Sequence, residues 1–183
     1  MIRLSANKIK LDAIEEADFP IIQRWYQDRD FLSHLEGVAA YPHDSARLKK
    51  EFKTEYQSEH PFAIRRLEDE RLVGFITLSE INWTMKSAWL ALAIGDPADR
   101  GQGYAKEALA LMIEWAFLEL NLHRLNLSVF AYNEAAIQLY EAMGFVREGC
   151  AREAIHRWGQ HYDQYLYGLL SREWFARKEQ GHE

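Results

Sequence analysis

Apolar residues along the chain either alternate with polar ones or recur every three to four positions, and each pattern predicts an element. Residues 8–14 alternate and predict a first strand. A helix is expected from Asp18, read as its N-cap, to about Leu35, with Phe19, Ile22, Trp25 and Tyr26 near one face. Asp44 caps a second helix to about Ser58, strongly charged, with Leu48, Phe52 and Tyr56 as its few apolar positions. Strand patterns at 62–67, 72–81 and 88–94, separated by polar turns at 68–71 and 82–87, predict an antiparallel meander. Ala105, Ala108, Leu109, Met112 and Ala116 then recur at helical spacing, to about Leu120. Residues 124–131 alternate, with Leu125, Leu127, Val129 and Ala131 on one face. Asn133 caps a short helix carrying Ala136, Leu139, Tyr140 and Met143 together, and Gly144 stops it, with Phe145 folding back on the last turn. Two late strands, 146–154 and 164–170, flank the turn at Trp158-Gly159, and a charged helix begins at Ser171. The expected fold class is α/β: one domain over 1–183, core about 8–175, with a mixed, mostly antiparallel central sheet and helices on both faces.

One junction stands out. The apolar run Trp89-Leu90-Ala91-Leu92-Ala93-Ile94 ends at Gly95, Asp96 and Pro97, and Arg100-Gly101-Gln102-Gly103-Tyr104-Ala105 then leads into the long helix. A glycine-rich turn entering a helix leaves the first amides unpaired and aimed at one spot, where the helix dipole adds roughly half a positive charge. Such a turn suits a diphosphate. A Rossmann reading fails, because no third glycine follows at the required spacing and the preceding strands form a meander.

Composition narrows the partners. The 183 residues are nearly half apolar, with six tryptophans and four prolines, so a compact fold with a real core is expected. Net charge is −6 with no dense Lys/Arg tract, which argues against nucleic acid as a partner. An acidic surface fits a cationic substrate and also fits an ordinary soluble protein. The single cysteine, Cys150, is read as structural, and no histidine or cysteine spacing resembles a metal site, so no metal is expected. Residues 1–14 lack a signal-peptide core and no segment approaches a membrane span, which makes the cytoplasm the expected location and a membrane partner unexpected.

Taken together, the turn Arg-x-x-Gly-x-Ala, the later "YNEAAIQLYEAMGF" after "LHRLNLSV", and the stretches "VGFITLSEINW" and "GDPADRGQGYAKEAL" resemble the GNAT superfamily of acetyl-CoA-dependent N-acetyltransferases, in its RimJ/RimL-like and spermidine acetyltransferase-like branch. The resemblance covers roughly residues 8–175. It implies a splayed strand pair opening a V-shaped slot, with backbone groups of Ala93 and Ile94 pairing with the pantetheine arm of acetyl-CoA. The turn of Arg100, Gly101, Gln102, Gly103, Tyr104 and Ala105 would hold the diphosphate, where a Cβ at either glycine would obstruct the backbone's approach. Asn133 matches the family's cofactor-touching asparagine and is also a simple N-cap; both roles can hold together.

The resemblance further implies that Tyr140 sits near the sulfur and gives it a proton, although its spacing alone fits core packing. A backbone N–H near Ile94 would meet the oxyanion of the tetrahedral intermediate. Relatives with polyamine activity carry a glutamate near the start of the splayed strand, where this chain has Trp89. Glu80 is the nearest substitute as base, with water as the alternative and a solvated strand-end carboxylate as the plain reading. Deprotonating an alkyl amine at neutral pH costs about 4–5 kcal/mol against about 1 for an α-amine, so a weak base tilts the acceptor toward a protein or peptide N-terminus over small amines such as polyamines or antibiotics. Trp25, Tyr26, Phe31, Tyr41, Trp83 and Trp158 are candidates for the acceptor pocket, with core packing as the competing role of each. A non-catalytic acyl-CoA sensor and a mononucleotide binder are the other classes kept open. Self-association as a homodimer follows family habit.

Overall fold

The computed structural model describes residues 4–39, 41–52 and 58–181. Its centre is a seven-stranded sheet of order β1-β2-β3-β4-β5-β7-β6. The strands are β1 (Ile9–Asp12), β2 (His60–Arg66), β3 (Leu72–Asn82), β4 (Ser87–Ile94), β5 (Arg124–Phe130), β6 (Val146–Arg157) and β7 (Gln160–Leu170). Every neighbouring pair is antiparallel except β4 and β5. A parallel pair needs a crossover, and the chain supplies it with the long helix α4 (Tyr104–Leu118). The meander, the mixed sheet and the helix after the glycine turn therefore match the α/β expectation.

Alternation along β2 and β3, reset by a bulge where Ile64 pairs with Gly74 but Arg65 with Leu72, builds two cores. Ile64, Val73, Ile76 and Leu78 point to one face, against Leu109, Met112, Ile113 and Ala116 of α4. Ala63, Leu72 and Phe75 point to the other, under α1 (Phe19–Trp25), α2 (Arg29–Leu35) and α3 (Ser45–Glu51). The remaining helices, α5 (Glu134–Ala142) and α6 (Ser171–Glu179), contribute Tyr140 and Trp174 to the first core.

The first helical region departs from the expectation. The single helix expected over 18–35 is a 3-10 turn followed by α1 and α2, broken at Tyr26-Gln27-Asp28. Asp18 makes no cap bond to the helix. Its buried carboxylate instead accepts from the Glu15 amide at 2.8 Å and from Arg65 at 3.0 and 2.7 Å, an interaction between distant elements that no local pattern records. Asp28 caps α2 by accepting from the Asp30 amide at 2.8 Å. Asp44 does cap α3, through the Arg47 amide at 2.7 Å, but α3 ends at Glu51, and Tyr56 lies outside the described residues. Gly144 stops α5 with φ 97°, and the Phe145 amide returns to the Tyr140 carbonyl at 3.0 Å. Cys150 is exposed on β6, its thiol donating to Asp163 at 3.4 Å. Among the described residues no helix is long and apolar enough to cross a membrane.

Candidate active site

The parallel ladder between β4 and β5 is short. Ser87, Ala88 and Trp89 pair with Arg124, Leu125 and Asn126, and the pairing then stops although both strands continue. Asn126 fastens the closed end, its side-chain amide donating to the Ala88 carbonyl at 3.1 Å. Beyond Trp89 the β4–β5 pairing ends, and among the described residues the backbone of 90–94 keeps β3 as its only strand partner.

Two adjoining clefts occupy the opening. One, of about 520 Å³, is lined by Ala93, Ile94, Arg100, Gly101, Gly103, Tyr104, Ala105 and Lys106, with Phe31 opposite. The other, of about 320 Å³, is lined by Glu80, Trp89, Ser128 and Gln164. His34, Leu35, Leu92, Asn133, Ala136 and Tyr140 border both, so Tyr140 stands at the boundary.

The glycine turn is built for an anion. Gly101 and Gly103 have φ 73° and 87°, conformations that disfavour any residue with a Cβ. A Cβ on Gly101 would meet no protein atom within 4 Å, and one on Gly103 only the Lys8 ammonium at 3.8 Å; the space above the turn is open. The amides of Gly101, Gln102, Gly103, Tyr104, Ala105 and Lys106 have no hydrogen-bond acceptor among the described residues. Five of these residues, all but Gln102, line the larger cleft at the positive end of a 15-residue helix, a strong attraction for a diphosphate.

Residues outside the motif hold this turn in place. Lys8 donates from Nζ to the Gln102 carbonyl at 2.9 Å, and its own amide donates to Glu107 at 2.8 Å. Arg71 grips the buried Asp99 with two bonds of 2.9 and 2.6 Å. Gln102 therefore turns its carbonyl to Lys8 and does not line the cleft. The Tyr104 side chain is buried beside Arg66, which leaves its backbone amide as the exposed feature. Lys8, Arg71 and Lys106 carry no local signal and were missed from the sequence.

Tyr140 is buried, its ring packed against Phe145 at 5.8 Å, and its hydroxyl makes no hydrogen bond among the described residues. Burial pushes its phenol up to about 12. Asn133 caps α5, accepting from the Ala136 amide at 3.3 Å, while also bordering both clefts. Glu80 is exposed and sits where β3 shifts register between Ser79 and Asn82, with φ 50°. A bulge of this kind re-aims a side chain, and it turns Glu80 to the smaller cleft beside Trp89.

Most of the aromatic residues expected around the acceptor do not line either cleft. Trp25 and Tyr26 are buried in the helical core, Tyr41 lies against His43, and Trp83 is exposed in the β3–β4 turn. Trp158 packs on Tyr132 and Tyr162, and only Phe31 reaches the larger cleft. Amphipathic spacing could not separate core rings from lining rings.

A family profile described as the acetyltransferase (GNAT) domain matches residues 11–166. The chain belongs to the GNAT acetyltransferase family. It is 27% identical to the spermidine N(1)-acetyltransferase of Vibrio cholerae, over 94% of this chain and 99% of that protein. It is 30% identical to the Escherichia coli K12 spermidine N(1)-acetyltransferase, over 79% of this chain and 76% of that one. The V. cholerae enzyme in complex with CoA and spermine superposes with a TM-score of 0.82 at 27% identity, covering 91% of this chain and 98% of that structure. Other structures of that enzyme are dodecameric or contain manganese ions. This GNAT chain is thus an N-acetyltransferase, and the family uses acetyl-CoA as acetyl donor. The sensor and mononucleotide readings fall away with that assignment.

Proposed function

We propose that the chain, acting as one acetyltransferase domain in the cytoplasm, transfers acetyl from acetyl-CoA to a small cationic primary amine by direct attack. The observation that carries this is the run of acceptor-free amides from Gly101 to Lys106 in the open turn, joined through the Tyr140 boundary to a second cleft. In this reading the amides of the Arg100–Ala105 turn hold the diphosphate, and the backbone at Ala93 and Ile94 pairs with the pantetheine arm. Asn133 adds a polar contact where the arm passes α5. When bound, acetyl-CoA supplies a thioester carbonyl as electrophile and a thiolate as leaving group.

The remaining chemistry belongs to residues of this chain. A backbone N–H on the unpaired stretch of β4 meets the oxyanion, where a fixed donor is worth several kcal/mol. Tyr140 donates a hydrogen bond to the departing sulfur. A phenol at about 12 is less ready to surrender its proton than an unburied one at about 10, while a thiol lies at about 8.5. Tyr140 therefore stabilises the thiolate while staying neutral, and the proton that balances the reaction comes from the attacking nitrogen. Glu80 faces the acceptor as the one carboxylate among the described residues lining the smaller cleft, able to attract a cationic amine and to take its proton directly or through water. Likeness to spermidine acetyltransferases over nearly the whole chain supports a polyamine-type acceptor. Trp89, in place of the glutamate expected at the start of β4, favours a peptide α-amine as the second reading, since that amine needs the weaker base.

An acceptor panel with thiol-release detection decides between them. Higher kcat/KM for spermidine, spermine and simple diamines than for N-terminal peptides is expected. The opposite order moves the assignment to peptides, and release with no amine overturns the transfer reading. We also extend the expected homodimer to a homo-oligomer, because β6 ends the sheet with an edge exposed along most of Val146–Arg157. A monomer mass in solution would retire that extension.

A further inference from the structure

Away from the clefts, Glu36 just after α2, His43 in the following loop and Glu51 at the end of α3 converge. One donor atom from each lies within 4.8 Å of the others. His43 is 2% exposed, yet neither ring nitrogen has a hydrogen-bond partner among the described residues. Nε2 lies 3.6 Å from Glu36 Oε2, and Nδ1 lies 3.6 Å from Glu51 Oε2. Those separations are too long for hydrogen bonds. They run to different ring nitrogens, so one ion can use only one of them as a donor–donor edge, about 3.4 Å in a tetrahedron with ligands at about 2.1 Å, while the second carboxylate oxygen lies within 4.8 Å of the other two donor atoms.

The surroundings leave these atoms turned toward one another. Glu36 Oε2 is buried without a donor among the described residues. Arg47 occupies Glu51 Oε1 at 2.6 Å and leaves Oε2 facing the imidazole. The rings of Tyr26 and Tyr41 flank His43 at 4.8 and 5.0 Å and restrict its orientation. A buried imidazole with two unsatisfied nitrogens is a costly arrangement that a ligand would relieve.

We infer that Glu36, His43 and Glu51 form a binding site for one divalent first-row transition-metal ion. One imidazole nitrogen with two carboxylates suits Zn²⁺, Mn²⁺ or Co²⁺ better than Mg²⁺ or Ca²⁺, which favour all-oxygen shells. The ion takes one ring nitrogen with both carboxylates, and the ligating carboxylate oxygen that faces the other ring nitrogen also accepts its N–H, which sets the tautomer. Its place in the fold makes it a brace: Glu36 directly follows His34 and Leu35, which border both clefts.

The exposed pair His156 and His161, with ring centroids 4.8 Å apart across the β6–β7 hairpin, is the rival site and supplies the control. The untagged, chelator-treated full chain is titrated with Zn²⁺ by calorimetry and with Co²⁺ by visible absorption, alongside melting curves. One ion per chain, a raised Tm, and affinity weakened about 100-fold or more by His43→Gln and by Glu51→Gln are expected, with His161→Gln unchanged. Glu51 is partly exposed, so Glu51→Gln remains informative if His43→Gln fails to fold. Failure of the wild type to bind either ion stoichiometrically overturns the site. So does binding that persists in the folded His43→Gln or Glu51→Gln protein, or that is lost only in His161→Gln.

Discussion

Gly95 lies flat against the indole of Trp25: a Cβ on Gly95 would come within 1.9 Å of Trp25 Cε2. This contact seats the end of β4 on α1, and Arg100, bonded to the Gly95 carbonyl at 3.4 Å, starts the cradle from there. Arg24 of the same helix also holds Asp96 at 3.0 Å. The position of the glycine turn is thus referred back to a helix far away in sequence. Gly95→Ala forces Trp25 or the strand end to move, which costs about 1–3 kcal/mol for overpacking. A lower Tm together with a raised KM for acetyl-CoA is expected, and an unchanged pair of values would show that the strand end is not set by Trp25.

Gly101 offers a cleaner test of the turn, because no described residue stands where its Cβ would go. Gly101→Ala carries only the left-handed backbone strain, about 1–2 kcal/mol, and places a methyl group in the space meant for the ligand. Calorimetry is expected to show CoA affinity reduced by about tenfold or more while the chain stays folded by circular dichroism. Wild-type affinity in this variant would remove Gly101 from the binding site.

Tyr140→Phe keeps the ring that packs on Phe145 and deletes only the unbonded hydroxyl. The expected outcome is kcat lowered about tenfold or more, with CoA binding nearly intact. The same pair reports on burial. The unfolded phenol titrates near 10 and the native one at about 12, so the native chain holds this proton across an interval in which the unfolded chain has lost it. The associated stability is complete below about pH 10 and disappears as pH rises through about 12, amounting to about 3 kcal/mol. Alkaline denaturation curves for the two proteins should therefore separate on raising the pH through that interval, the wild type losing stability that Tyr140→Phe keeps. Parallel curves would mean that the hydroxyl is not desolvated in the native fold.

Glu80→Gln tests the acceptor side. If the carboxylate takes the amine's proton, the acidic limb of the pH–rate profile shifts or vanishes, and KM for cationic amines rises while KM for acetyl-CoA holds. An unaltered acidic limb rules Glu80 out as the base and leaves the role to water.

Patterns confined to neighbouring residues carried most of the fold. Period-two runs marked six of the strand regions well, the helical repeat after Gly103 located α4, and Asn133 with Gly144 bounded α5, since each rests on local hydrogen bonding and side-chain alternation. The cradle was foreseeable for the same reason: its glycines and its helix start lie side by side in the chain. Packing between distant segments left no comparable trace. The break of the first helix at Tyr26-Gln27-Asp28, the withdrawal of Asp18 to Arg65, the Arg71 grip on Asp99 and the clasp of Lys8 on Gln102 each join elements far apart in sequence. The same holds for which aromatic rings are core and for the meeting of Glu36, His43 and Glu51, which share no motif spacing. Local order reflects short-range torsional and hydrogen-bond preferences, whereas a site is a coincidence in space, and folding the chain is what creates that coincidence.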